Sequence, residues 1–72
     1  MKRILVIGCN GMAGHVVKSY LEDMTKYDIW GIAREVKSKK TINLDVTNTV
    51  KLEKILRNGD FDIVINCIGL LN

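Results

Sequence analysis

Three glycines, each separated by two residues in Gly8-Cys9-Asn10-Gly11-Met12-Ala13-Gly14, follow directly on the apolar run Ile4-Leu5-Val6-Ile7. The chemistry open to such a turn is anion binding. Gly8 permits a tight exit from a strand, Gly11 lets backbone approach a pyrophosphate, and Gly14 lets the next helix pack close to the strand. The N–H groups and positive end of that helix would face the anion. No Gly-Lys-Ser/Thr closes the motif, which excludes a P-loop for nucleoside triphosphates. A glycine-rich turn with no ligand is the plainer alternative, but the strand, turn and helix context required of a binding motif is all present.

The elements that must position this turn can be read from periodicity. A Val/Ile/Leu run without polar alternation predicts a parallel strand buried on both faces. From Met12 to about Lys26, Ala13, Val17, Leu21 and Met24 recur at helical spacing, Val16 and Tyr20 flank them, and Lys18, Glu22 and Asp23 are assigned to the outside. His15, in the first turn, is expected to face solvent, and a single histidine without a partner indicates no catalysis. Ile29-Trp30-Gly31-Ile32-Ala33 reads as a second strand, completing a βαβ unit of about 30 residues. Thr41-Ile42-Asn43-Leu44 is a third strand ending at Asp45-Val46. Only seven residues, Arg34 to Lys40, precede it, too few for a helical crossover, so a loop is expected. Thr47 or Asn48 caps a second helix from Thr49 to about Asn58, with Leu52, Ile55 and Leu56 buried and Gly59 as its stop. Asp62 to Gly69 forms a fourth strand running into a further glycine turn. The pattern is α/β, the N-terminal part of a Rossmann-type doubly wound parallel sheet with strand order 3-2-1-4, and its crevice opens where Gly8 and Gly69 emerge.

The residues after the second strand set the cofactor. An acidic side chain about 20 positions past the motif holds a ribose 2′-hydroxyl, whereas an arginine accommodates a 2′-phosphate. Arg34 stands 20 residues after Gly14, and Glu35 follows it. Arg34 is nearer the strand end, and Lys37, Lys39 and Lys40 add positive charge, so NADP is preferred; Glu35 keeps NAD open. A solvated basic loop is the bland alternative. Trp30 is expected near the adenosine side.

Seventy-two residues make one small domain, and such a chain buries only about 60% of its unfolded surface. An apolar fraction of 47% argues against disorder. Eleven basic against eight acidic residues give +3, a mild excess that fits a solvated surface. Nucleic-acid binding is not expected, because one Trp, two Tyr and one Phe cannot interleave a basic stripe. Lys2-Arg3 and Val6-Ile7-Gly8-Cys9 imitate a lipoprotein signal, but the apolar run is broken after four residues, short of the ~7–15 that a signal needs. Nothing approaches the ~20 apolar residues of a membrane span. A cytoplasmic location is therefore expected. Cys9 and Cys67 form no metal site; each follows a strand at its carboxyl end, and free thiols are expected in a reducing compartment. Leu70 and Leu71 would extend beyond a strand that lies inside a sheet, and the exposed apolar edge leads us to expect the front portion of a longer protein. Residues 1–72 read as one dinucleotide-binding unit without its substrate-binding and catalytic part.

With these residues in place the chain resembles the extended short-chain dehydrogenase/reductase superfamily, and within it is most similar to dTDP-4-dehydrorhamnose reductases and related sugar-nucleotide reductases. The resemblance rests on Gly8 to His15, the short link between the second and third strands, Leu44-Asp45-Val46-Thr47, and Asp62 to Gly69. It implies that backbone at Asn10, Gly11 and Met12 holds the pyrophosphate and that Arg34 faces the ribose phosphate. It further implies that Asp45 and Val46 flank the adenine, while Cys67, Ile68 and Gly69 line the ribose nearer the nicotinamide. Cys67-Ile68-Gly69 replaces an alanine-rich run usual in the family, and Phe61 stands where proline is common. The family reduces a keto-sugar carbon with a Tyr-x-x-x-Lys pair and a Ser or Thr. Here Met24 lies four positions after Tyr20, and Gly31 four after Tyr27. These residues alone are thus expected to be inactive, the parent protein being an NADP-dependent reductase of a nucleotide-sugar. An NAD-dependent epimerase or dehydratase and a non-catalytic dinucleotide-sensing module are the alternatives.

Overall fold

The computed structural model describes residues 2–35 and 39–68. In chain order the elements are β1 (Arg3–Ile7), α1 (Met12–Met24), β2 (Asp28–Ala33), β3 (Thr41–Asn43), α2 (Thr49–Asn58) and β4 (Ile63–Asn66). The strands form one parallel sheet in the order β3-β2-β1-β4, the order that the doubly wound pattern predicts. Side chains along β1 alternate between the two faces, and both faces are covered, which is why the run needs no polar residue. Ile4 and Val6 join Ile29, Ala33, Cys9 and Cys67 on the face that Val17 and Leu21 of α1 cover. Leu5 and Ile7 join Ile32 and Leu44 on the other, under Leu52 and Ile55 of α2. Burying a side chain such as Leu5 or Ile32 stabilises the fold by about 1.5–3 kcal/mol.

α1 ends at Met24, where Thr25 turns its N–H and hydroxyl onto the Leu21 carbonyl at 3.1 and 2.6 Å. Two expected positions on it are corrected. Met24 is 66% exposed instead of packed, whereas Lys18 is 3% exposed and lies inside. The helix turns its Gly14, Lys18 and Leu21 side toward the sheet, so Val16, Tyr20 and Met24 lie to one flank and stay open. α2 starts as expected, with Asn48 Oδ1 accepting from Lys51 N. Leu56, expected in its buried stripe, is 38% exposed; Val46 and Phe61 complete the packing around Leu52 and Ile55 instead. Gly59 ends α2 in right-handed conformation, and Asp60 takes the positive φ of 56°. Glycine is required at 59 for space, since a Cβ there would meet the Phe61 ring and lie 2.7 Å from the Ile55 carbonyl oxygen.

β2 and β3 are joined without a helix among the described residues of the link, as the short spacing demands. Gly31 N donates to Lys40 O at 2.8 Å and Leu44 N to Ala33 O at 2.9 Å, bracketing the pairing. The amino ends of the strands are tied by Arg3. Its Nε lies 3.2 Å from Asp28 Oδ2, an Nη donates to the Gly59 carbonyl, and the guanidinium sits 4.8 Å from the Phe61 ring centre and 5.9 Å from that of Trp30. The Trp30 ring therefore leans toward Arg3 and does not line the cleft at the carboxyl ends of the strands, and its expected place near the adenosine side is corrected.

Asp28 also takes Lys40 Nζ at 2.7 Å. That hydrogen bond is the chief reason its carboxyl titrates below the usual aspartate range; the Trp30 indole N–H, which completes no bond of ordinary geometry, and Arg3 contribute in the same direction. A depressed folded-state pKa stabilises the native chain above the ordinary value of about 3.9, and the contribution disappears as pH falls through the lowered value. Asp28→Asn is expected to lower the urea midpoint at pH 7, and its gap from the unmodified chain to narrow as pH falls below the ordinary aspartate value of about 3.9. An equal gap at both pH values would show that the carboxylate charge is not what stabilises.

Candidate functional site

Because all four strands are parallel, their carboxyl ends open on one side, and there the structure has a cleft of about 830 Å³. Each strand supplies the residues that follow it: Gly8, Asn10 and Gly11 after β1, Arg34 and Glu35 after β2, Asp45 and Val46 after β3, Cys67 and Ile68 after β4. That is the place where doubly wound sheets bind ligands, and the volume lies within the usual ~300–1,000 Å³.

The glycine turn is held from two sides. Gly8 takes a φ of +82°, and the N–H groups of Gly8 and Cys9 both donate to the Ile32 carbonyl, at 2.8 and 3.1 Å. Gly11 N donates to Gly8 O at 3.0 Å and becomes the N-cap of α1, which no side chain caps, so the helix start keeps its first-turn donors for another partner. A Cβ on Gly11 would meet nothing nearer than the Gly8 carbonyl oxygen at 3.4 Å. Its missing side chain is thus not demanded by packing, and the open space is what close approach by an anion requires. Gly14 differs: it is buried beneath the turn and does not line the cleft. Met12 opens α1 with its side chain 75% exposed, also off the cleft wall. Gly69 lies outside the described residues.

On the far side, Asp45 Oδ1 accepts from Thr47 N at 3.0 Å and from the Thr47 hydroxyl at 2.8 Å. These bonds hold its carboxyl below the usual aspartate range, and the positive charge of Arg34 adds a smaller pull. Arg34 and Asp45 both line the cleft. Two features escaped the sequence reading. Asn10 Nδ2 donates to the Glu35 carbonyl at 2.6 Å, clamping the glycine turn to the start of the β2–β3 link; and Thr47, expected only as a helix cap, lines the cleft and orients Asp45. Cys9 and Cys67 are free and buried in one cluster, with Cys67 alone reaching the cleft. Among the described residues there is no metal-binding group of His, Cys, Asp or Glu, and no helix is long and apolar enough to cross a membrane.

A parallel sheet in this order, with a glycine turn heading β1 and a cleft across the strand ends, defines a dinucleotide-binding module of the Rossmann type. The model of the NAD dependent epimerase/dehydratase family matches residues 4–72, and the chain belongs to that family. Curated proteins and solved structures gave no match. Membership brings a nicotinamide dinucleotide as cofactor and places the chain among proteins of NAD(P)-dependent, oxidoreductase-type chemistry. The residues fit the cofactor: a positive-φ glycine, an open Gly11, an uncapped helix start and the cation of Arg34 meet around one cleft.

Proposed function

We propose that this chain is the NADP-holding part of a reductase of a nucleotide-activated keto-sugar, of the kind represented by dTDP-4-dehydrorhamnose reductases. The observation that carries the NADP reading is Arg34, the first residue past β2, on the cleft wall with Asp45. In this reading the backbone of Gly8, Asn10, Gly11 and Met12 holds the pyrophosphate while Gly14 keeps the turn seated on the helix. Arg34 takes the 2′-phosphate, Asp45 and Val46 flank the adenine, and Cys67 and Ile68, with Gly69, border the ribose nearer the nicotinamide. When bound, the nicotinamide supplies a hydride.

Neither tyrosine serves as the proton donor. Tyr20 is 60% exposed on the flank of α1, and neither it nor Tyr27 lines the cleft. Proton donation to the sugar needs a tyrosine whose pKa a neighbouring cation lowers from about 10, and the 72 residues contain no Tyr-x-x-x-Lys. The substrate partner is a nucleotide-sugar and the setting cytoplasmic nucleotide-sugar metabolism, with no nucleic acid or membrane involved.

A second reading, an NAD-dependent epimerase or dehydratase, draws on Glu35, which lines the same cleft beside Arg34. Calorimetric titration of the chain with NADPH and with NADH separates the two. NADPH is expected to bind at least about tenfold tighter, equivalent to about 1.4 kcal/mol. Equal affinities would transfer the assignment to NAD and Glu35, and no binding of either by a folded chain would remove cofactor holding from these residues.

A further inference from the structure

A lysine that is 3% exposed needs an explanation, and the surroundings of Lys18 give one. Lysine is almost never fully buried unless its ammonium is paired. Lys18 Nζ lies 3.0 Å from Glu22 Oε2, one turn further along α1, and donates at 3.1 Å to the main-chain carbonyl of Lys39. Its stem passes over Gly31 of β2, where a Cβ would lie 3.1 Å from Lys18 Cδ and would also strike Cys9. Glycine inside a buried strand is unfavourable unless another group approaches closely, and here Cys9 approaches most closely with the lysine stem beside it. Gly31 and Lys18 thus fit together, and their joint effect is to bring a cation from α1 onto the returning limb of the β2–β3 link.

The leading limb of that link carries Arg34 and Glu35 on the cleft wall, with the Glu35 carbonyl clamped by Asn10. The link is therefore tied to the glycine turn at its start and to α1 at its end. We propose that Lys18 is a positioning residue for cofactor choice: by holding Lys39 O against α1 it anchors the end of the connection that Arg34 begins and so sets how well Arg34 discriminates NADP from NAD. The proposal rests on the NADP reading above. Lys18 itself lies off the cleft wall.

The test is calorimetric titration of the full chain with NADPH and NADH, comparing the unmodified protein with Lys18→Met, Lys18→Arg and Arg34→Ala. Lys18→Met is expected to lower the ratio of NADPH to NADH affinity at least fivefold while NADH binding changes less than twofold, and Lys18→Arg to retain the ratio. A merely structural lysine would weaken both cofactors alike, leaving the ratio in place, and that result overturns the proposal. If Lys18→Met does not fold, Lys18→Gln, whose amide falls one atom short, is expected to lower the same ratio at least threefold; an unchanged ratio there also overturns it. Absence of any preference in the unmodified chain overturns the NADP reading and this proposal together. A preference abolished by Arg34→Ala but untouched at Lys18 overturns the proposal alone.

Discussion

Gly14→Ala is expected to destabilise the chain by about 2 kcal/mol and to remove cofactor binding, whereas Gly11→Ala is expected to leave stability nearly unchanged and still weaken the cofactor. The two glycines share a motif but meet different surroundings. A Cβ at position 14 would overlap the Gly8 carbonyl oxygen, lie 2.8 Å from its carbon and 3.0 Å from Cys9 Cα. All three are backbone atoms, so no rotamer change relieves the clash, and α1 must move away from the turn. Overpacking of this kind costs up to about 3 kcal/mol, offset by up to about 1 kcal/mol from the better helix propensity of alanine. In a domain whose whole stability is of order 5 kcal/mol the net loss is large. At position 11 the nearest contact is 3.4 Å, so an added methyl folds without strain and occupies space that a phosphate would use. Urea midpoints read the first effect and calorimetry the second. Equal destabilisation by both substitutions would show that Gly11 is also a packing glycine and would remove its assigned role.

The parts of the fold that sequence made legible are those where one physical requirement dominates. The Val/Ile/Leu runs of β1 and β4, the seven-residue link from Arg34 to Lys40 and the three glycines sufficed for the 3-2-1-4 sheet, because connection length and two-sided burial leave few topologies. The end of β2 likewise placed Arg34, and the family resemblance Asp45 and Cys67, and all three line one cleft. What escaped depends on tertiary neighbours. Lys18 was assigned to solvent by its charge, and its burial depends on neighbours from other elements, the Lys39 carbonyl and the bare backbone of Gly31, over which its stem lies. Its place four residues after Gly14 and three before Leu21 was the available signal, since all three share the face turned to the sheet. Met24 and Leu56 fit an apolar stripe by spacing, yet each lies at its edge, where periodicity cannot separate buried from open positions. Trp30 was placed by its strand alone; its height along β2, level with Leu5, puts it with Arg3 and away from the cleft.

Arg34→Glu is expected to weaken NADPH by about 10–100-fold and to leave NADH within about threefold, abolishing the preference for NADPH. A hydrogen bond to a charged group contributes about 1.5–3 kcal/mol, and its loss here is joined by repulsion between a new carboxylate and the 2′-phosphate. NADH presents a neutral hydroxyl at the same place, which a carboxylate can accept from, so it has little to lose. The neighbouring acid does not confuse the result. Asp45 is held ionised mainly by the Thr47 N–H and hydroxyl and only secondarily by Arg34, so it stays charged at neutral pH in the variant. The substitution also leaves the fold alone, because Arg34 is exposed on the cleft wall. Parallel titrations of Glu35→Gln complete the argument: with NADP as the cofactor this change is expected to alter neither affinity by more than about threefold, whereas a selective loss of NADH would identify Glu35 as the ribose-binding acid. Unchanged NADPH binding in Arg34→Glu would exclude the arginine from the phosphate site and transfer the family's cofactor choice in this chain to NAD.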